Sequence, residues 1–577
     1  MQNNALKWLP IILLLAFCTT ALSLCLSSQS NSIFAFVYFS YYILLIILCL
    51  WSVSTVFLLS KSKPIILFKQ NWAGILSAII LTGICFFFID SWFRLLSDET
   101  NILSVAQGMA HQKKVFLTEE GRIINENLYP IIINIPKRPL LFSFILSLIH
   151  NVSGYSFENA FFMNLGCLFM LLCLVFFAIK PLTGTAVAIS VQVLLVSQPV
   201  IPIYATSAGF DLFAALFFCL SLFSAYIFMR EKDVKSFSFL WCNLLMFANI
   251  RYESFVFMGL IISFLFSMRY ITRDILLKNS FLIGISPLLF IPRILQPLIR
   301  AKGVFENPEG IVPFSIQNLL NYTLILIKSQ FDFSRILPYA TILNLVSFLL
   351  FLMIILLTIK KFNSYKNWQK HFILLALVCT CFVFIIYLSY YMGSCAHPAT
   401  VRFFLIPAIL SSLIPAFYFS FRPKKSNCVV ICCLSILTFS FYFPTAIENR
   451  LINTQFAVHD FREAYTFLKK QSSRNLFIIS NTPSQFIPLN FSAVNFKTAN
   501  KYKHLILREF HNKIYENIFI FQTISSKTNI PLPENSLDSV YNLKPVYKFK
   551  SLTGNVVLVS KIILGNGSSE KTFDPPM

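Results

Sequence analysis

What most constrains this chain is a succession of apolar runs, most of about 18 residues or more, broken by short polar loops. Inside a bilayer there is no water to satisfy backbone N–H and C=O groups, so such runs fold as helices that bond internally. Composition agrees. Hydrophobic residues make up 56% of the chain and charged residues 12%, too little polar surface to cover a water-soluble core of this size. The runs are Trp8–Leu26, Ile33–Leu59, Trp72–Ile89, Asn159–Ile179, Thr183–Ile201, Phe210–Met229, Phe237–Ile250, Phe255–Met268, Phe281–Leu298, Tyr339–Ile359, Phe372–Met392, Phe403–Phe421 and Cys428–Phe443. They predict an α-helical polytopic membrane protein with about 13 transmembrane helices. The first run is long for a signal-peptide core and lacks a small-residue cleavage pattern, so it is expected to be retained.

Short-loop cations set the orientation. Lys7, Lys61, Lys63, Lys69, Lys180, Arg230, Lys232, Lys235, Arg269, Arg273, Lys278, Lys360, Lys361, Lys366, Lys370, Arg422, Lys424 and Lys425 all fall in alternate loops, whereas the opposite short loops hold Arg251 and Arg402. The cation-rich side is expected to be cytoplasmic, with the N-terminus there. Topology thus accounts for most of the +23 net charge. Membrane lipids and an anionic substrate are the expected partners, and nucleic acid is not. The 14 cysteines include no C-x-x-C pair, so metal knuckles and dithiol redox chemistry are not expected.

Two stretches test this topology. Phe237–Met268 has cation-rich loops at both ends, so it must cross twice, turning at Asn249, Arg251, Tyr252 and Glu253. Pro139–Val152 cannot cross without inverting every later loop, and at about 14 residues it is short for a span. It is expected to lie on the outer face as an interfacial helix. The outer face then carries the loops 90–158 and 300–338 and the tail from Thr445 to Met577. In the tail, His459–Gln471 has helical periodicity, while Asn475–Ser480 and Ile518–Thr523 read as strands, which predicts a small C-terminal extracytoplasmic α/β domain. The expected division is 1–71, an N-terminal pair of helices; 72–444, the transmembrane module; and 445–577, the outer domain. No internal repeat supports a transporter built from symmetric halves.

Five groups of residues can carry chemistry at the outer surface. Ser97-Asp98-Glu99-Thr100 places two carboxylates just past the third run, as a base or cation site or, equally in keeping with helix chemistry, as a first turn capped by Ser97. Lys137-Arg138-Pro139 suits a lipid phosphate or ordinary headgroup anchoring. Asp211 opens the sixth run, either favoured by the helix dipole or facing a cavity. Arg251 and Glu253 sit in the tight outer turn as a functional pair or a structural salt bridge. Arg402 opens the twelfth run after His397-Pro398.

In order and spacing, these residues resemble the GT-C superfamily of membrane glycosyltransferases, in the branch of the protein O-mannosyltransferases and the lipid A aminoarabinose transferase. The resemblance covers roughly Trp72 to Phe421 and the general layout of the tail. It rests on Asp98-Glu99-Thr100 followed by Val105-Ala106-Gln107-Gly108-Met109, on Arg138-Pro139-Leu140-Leu141, on Asp211-Leu212 after Ala205 and Ser207, on Asn249-Ile250-Arg251, and on Arg402-Phe403-Phe404-Leu405-Ile406-Pro407. It implies catalytic roles for Asp98, Glu99 and Asp211, and donor-phosphate binding by Lys137, Arg138, Arg251 and Arg402. The implied reaction is inverting transfer of a sugar from a polyprenyl-phosphate donor to a lipid, glycan or protein acceptor, in cell-envelope modification at a bacterial inner membrane. Some members have Glu-Lys where this chain has Lys137-Arg138, and that Glu helps hold a metal, so a divalent cation stays an open question. Two runs precede the family's usual first helix. The competing functions are a lipid-linked glycan flippase or other transporter, an oligosaccharide polymerase, and a relative kept only as a structural subunit.

Overall fold

The computed structural model describes residues 2–60, 64–299, 312–332, 334–339, 341–361, 366–420, 425–471, 475–525 and 531–563. Lys61, Lys63, Arg422, Lys424, residues 300–311 of the second outer loop and the tail beyond 563 lie outside them.

Every expected apolar run is helical. Among the described residues, eight helices are long and apolar enough to cross a membrane: Gln29–Leu59, Lys69–Phe88, Asn159–Thr183, Asp211–Glu231, Ser280–Ile299, Asn367–Ser389, Val401–Ser420 and Cys428–Asn453. The other five runs give shorter apolar helices over the described residues, Ile12–Leu26, Thr185–Ser197, Val234–Ala248, Ser254–Ser267 and Ile342–Leu356. Two of these are parts of longer helices, Gln2–Leu26 of 25 residues and Ile342–Lys361 of 20. The Thr183–Ile201 run breaks before Pro199 into Thr185–Ser197 and Val200–Ala205, because proline cannot donate to the ladder and disfavours helix in the residue before it.

The apolar exterior includes side chains such as Phe87, 80% exposed, as a lipid-facing surface requires. Several polar side chains inside the bundle are paired, as a low-dielectric interior favours. Gln192 Nε2 donates to the carbonyls of Gly74 and Leu172, both at 3.0 Å, and Trp51 Nε1 donates to Asn243 Oδ1 at 2.6 Å. The two N-terminal helices are part of this packing. Gln2–Leu26 runs along Ser280–Leu289, and Gln29–Leu59 packs on Val234–Ala248 and Ile291–Ile299. Pro139–Val152 corresponds to the 13-residue helix Leu141–Ser153, buried along Leu141, Phe142, Phe144 and Leu146.

Outside the bundle lies a seven-stranded sheet: β1 Leu117–Ile124, β2 Asn127–Asn134, β3 Leu476–Ile479, β4 Ser492–Val494, β5 Asn517–Ile524, β6 Leu543–Lys550 and β7 Val556–Ile562, in the order β2-β1-β4-β3-β5-β7-β6. β3 pairs in parallel with β4 and β5, and the remaining pairs are antiparallel. β3 and β5 are the strands expected at Asn475–Ser480 and Ile518–Thr523, and the expected tail helix is Phe456–Lys469. Unanticipated is the hairpin β1–β2 from the first outer loop, which turns through Asn125 and Glu126, both at positive φ (50° and 64°), as a tight hairpin requires. β1 joins the tail through Gly121 opposite Ala493, a bond from the Ile123 N–H to Ser492 Oγ (2.8 Å), and the pair Arg122–Glu509 at 2.7 Å.

Candidate active site

Asp98 and Glu99 lie in the first turn of the helix Leu96–Gln112, just beyond the end of Lys69–Phe88. The expected cap is corrected here. Leu95 takes the N-cap position and Ser97 is inside the helix and exposed, so the acids are not there to decorate a capped terminus. Both are buried, and each has its own partners.

Asp98 Oδ1 accepts from Arg138 Nε at 2.8 Å and Nη2 at 2.5 Å, and Asp98 Oδ2 accepts from Arg402 Nη1 at 2.8 Å. The same Arg402 nitrogen is 3.6 Å from Asp211 Oδ2. Asp211 Oδ1 accepts from Arg251 Nη1 at 2.5 Å, and Arg251 Nε donates to Glu253 Oε1, also at 2.5 Å. Tyr387 donates its hydroxyl hydrogen to that oxygen at 3.2 Å. The chain Arg138–Asp98–Arg402–Asp211–Arg251–Glu253 thus gathers residues from five separate segments of the sequence. Alternating sign lets each buried charge stand beside an opposite one, which burial of this many charges requires.

Each segment is fixed by its own local chemistry. The turn before Asp211 is clamped by Asn164, whose Nδ2 donates to the carbonyls of Ser207 and Gly209, both at 2.7 Å. Within that turn, a Cβ on Gly209 would stand 3.2 Å from Asp211 Oδ2 and 3.3 Å from Glu99 Oε1, so glycine is what lets the two acids approach. The Pro136–Arg138 segment is held by Gln296, donating to the carbonyls of Pro136 (3.0 Å) and Arg138 (2.7 Å), and by the Tyr252 hydroxyl on the Lys137 carbonyl (2.6 Å). Arg402 lies in a short 3-10 turn, Val401–Phe404, ahead of the helix Leu405–Ser420. Arg251 lies among the rings of Phe210, Phe403 and Tyr387, at 5.4, 5.3 and 6.0 Å, a setting that favours a guanidinium over an ammonium.

The adjacent acids differ in charge state. Burial would raise the Asp98 carboxyl, but Arg402 and Arg138 outweigh it and hold Asp98 below its usual range. Burial pushes Glu99 up to about 8, against the Arg94 backbone and guanidinium and with Asp211 adding to the rise. At neutral pH the site therefore contains an ionised Asp98 beside a largely protonated Glu99, a split typical of paired carboxyls in unlike environments. Burial would likewise raise Glu253, and Arg251 reverses it.

Six of the seven sequence-derived candidates meet here. The seventh, Lys137, contributes its carbonyl; among the described residues its side chain has no ion pair. Arg94 was not anticipated. It is buried, its backbone N–H donates to Glu99 Oε2 at 2.9 Å, and its guanidinium donates to the carbonyls of Ile203 and Asp90 and to Thr206 Oγ1. Its signal was present as a lone cation in the otherwise apolar segment Trp92–Leu96. The carboxylates of Asp98, Asp211 and Glu253 are each engaged by a guanidinium, and no three ligating side chains come together among the described residues. Among the described residues, these side chains do not compose a metal site.

No protein-family model matches this sequence, and no curated protein matches it. Among solved structures, it is similar to ArnT from Cupriavidus metallidurans in the apo state, with a TM-score of 0.50 and 9% identity, over 85% of this chain and 98% of that one. The same protein bound to undecaprenyl phosphate gives 0.49, 9%, 85% and 98%. An oligosaccharyltransferase from Archaeoglobus fulgidus in its apo form gives 0.35 and 10%, over 79% of this chain and 70% of that one. At 9% identity the likeness to apo ArnT is one of fold. The chain shares that fold over most of its length.

Proposed function

We propose that this chain is a glycosyltransferase that moves a sugar from a polyprenyl-phosphate donor to an acceptor on the non-cytoplasmic face of a bacterial inner membrane. The observation that carries the reading is the buried chain of alternating charge around Asp98. Two guanidiniums converge on one carboxylate at the membrane surface, in the geometry that also grips a phosphate. A donor phosphate competes for Arg138 and Arg402 and in doing so frees Asp98.

In this mechanism the freed, ionised Asp98 accepts the hydrogen bond of the acceptor hydroxyl and takes its proton as oxygen bonds to the anomeric carbon. The anomeric bond to the phosphate oxygen breaks, and its electron pair leaves with the polyprenyl phosphate, stabilised by Arg138 and Arg402. Configuration inverts in this single displacement. Lys137, next to Arg138 in the same segment, would meet the phosphate's outer oxygens. Asp211, Arg251 and Glu253 hold Arg402 in place, and neutral Glu99 offers a hydrogen-bond donor without adding charge. The sheet packs over the helix that carries the acids and excludes water that would hydrolyse the donor.

The test is transfer of radiolabelled sugar in membranes containing polyprenyl-phosphate donors, comparing the native chain with Asp98→Asn at matched expression. Loss of about 10²- to 10⁴-fold is expected, the scale of a lost general base. Undiminished transfer by the variant would remove Asp98 from the chemistry, and absence of transfer by the native chain with every donor would remove the glycosyltransferase reading itself.

A further inference from the structure

The two N-terminal helices precede every residue of the charge chain, yet one of them touches the supports of both Asp98 and Arg138. The acid-bearing helix Leu96–Gln112 ends at Lys113, whose left-handed backbone (φ 57°) turns the chain toward β1. Three contacts fasten that turn to the spanning helix Gln29–Leu59. The Val115 N–H donates to the Val37 carbonyl at 2.9 Å. The Lys113 ammonium lies over the Tyr41 ring at 5.5 Å, and the Lys114 ammonium over the Tyr38 ring at 4.9 Å. Lys113 Nζ also donates to the Ala110 carbonyl (2.9 Å), within the acid-bearing helix, and to Asn151 Oδ1 (3.0 Å), on the helix Leu141–Ser153. One ammonium thus joins three helices. Tyr41 is itself fixed, buried and edge-on to Phe144 at 5.2 Å. On the other side of the site, Gln29–Leu59 packs on Ile291–Ile299, whose Gln296 holds the carbonyls of Pro136 and Arg138.

We propose that Gln29–Leu59 positions both halves of the Asp98–Arg138 pair, and that Lys113 is the residue through which it sets the acid-bearing helix. The reason is rotational. Asp98 and Glu99 are adjacent, so they project about 100° apart around one helix axis. The rotation of that helix decides which acid meets Arg138 and Arg402 and which meets the Arg94 N–H. The hydrogen-bonded ladder resists twisting, so a clamp at Lys113 fixes the rotation at the acids. A carboxylate lies roughly 6 Å from the axis, and a turn of about 10° moves it about 1 Å. Misplacement of about 1 Å can cost on the order of 10²-fold in rate. On the glycosyltransferase reading, on which the rate measurement below alone rests, Lys113 is a positioning residue that touches no substrate.

The test is amide hydrogen exchange of the full chain in phosphatidylcholine nanodiscs, with transfer measured on the same preparations. Lys113→Met keeps the length of the side chain and removes its charge. It should speed exchange across residues 96–117 about tenfold or more and leave the tail helix Phe456–Lys469 unchanged. Lys113→Arg keeps a cation over Tyr41 and should restore the native exchange. Transfer by Lys113→Met should fall about tenfold or more in kcat, with the donor KM within about threefold of native, and Lys113→Arg should recover it. Unchanged exchange at 96–117 in Lys113→Met overturns the proposal. So does an acceleration spread evenly over the chain, which would make Lys113 a general stabiliser, and so does a Lys113→Arg variant no better than Lys113→Met. Local acceleration with no transfer by the native chain would leave the clamp standing and remove the glycosyltransferase reading. Local acceleration with native kcat in Lys113→Met, while Asp98→Asn loses transfer, would keep that reading and remove the positioning role.

Discussion

Arg251 offers the sharpest test of the charge chain, because its role can be separated from phosphate binding. Its guanidinium stands between Asp211 and Glu253; it is buried with Asp211, and Glu253 is partly buried. Arg251→Met keeps length and apolar packing but leaves two carboxylates facing each other without the cation. Breaking a buried pair in this way costs roughly 3–5 kcal/mol. At about 2 °C per kcal/mol, the lower slope for large domains, that is a fall of roughly 6–10 °C in the unfolding midpoint. Arg251→Met/Glu253→Gln removes one of the stranded charges and should recover about half of the loss, since Asp211 keeps Arg402 at 3.6 Å. The assay is thermal unfolding of the purified protein in a single detergent, followed by intrinsic fluorescence, alongside transfer with saturating donor. If Arg251 scaffolds Arg402, transfer falls in kcat more than in the KM for donor. An unchanged midpoint in the single variant, or a double variant no better than the single, would refute the compensation argument. A loss confined to the donor KM would make Arg251 a direct phosphate ligand.

Glu99 should give the protein a pH-dependent stability. Its folded pKa of about 8 lies above its ordinary 4.5, so its contribution is fully present below about pH 4.5 and is lost as pH rises through 8, at up to about 1.4 kcal/mol per pH unit. Unfolding midpoints measured from pH 5 to 8 should decline, and Glu99→Gln should flatten the slope. Asp98, held low, acts in the opposite sense only at acid pH, outside this window. Gly209→Ala should cost about 1–3 kcal/mol, because the added methyl crowds both Asp211 and Glu99, and should lower transfer about tenfold or more by displacing them. Unfolding and transfer measured on one preparation check both effects.

Much of the site was legible because its members are unusual where they stand. An acid pair just past a span, an acid opening another span, and the two cations of the short outer loops break the expected pattern of polar residues, and membrane chemistry makes such breaks conspicuous. Their pairing was not legible. Asp98 and Arg402 are 304 residues apart, and no periodicity or local propensity records which distant charges meet. Asp98 and Glu99 looked interchangeable as neighbours. The fold separates them by turning one toward two guanidiniums and the other toward a backbone N–H and a third carboxylate. Helix positions followed from hydrophobicity, but helix continuity did not: Pro199 divides one run, and a run's length fixes neither its tilt nor where it breaks. The hairpin β1–β2 escaped notice because, as the edge of a larger sheet, it lacks the strict alternation of an isolated two-faced strand.

That edge position has a consequence for how the protein is made. The N–H of Ile123 bonds to Ser492, 369 residues away in sequence. Chains are synthesised from the N-terminus, and contacts of such separation form late. The helix bearing Asp98 and Glu99 therefore emerges and meets the bilayer long before the strands that brace it exist. Ribosome-bound and truncated chains should hold both acids in an unbraced helix, and competence should arrive in one step, once the last strands have left the translocation machinery.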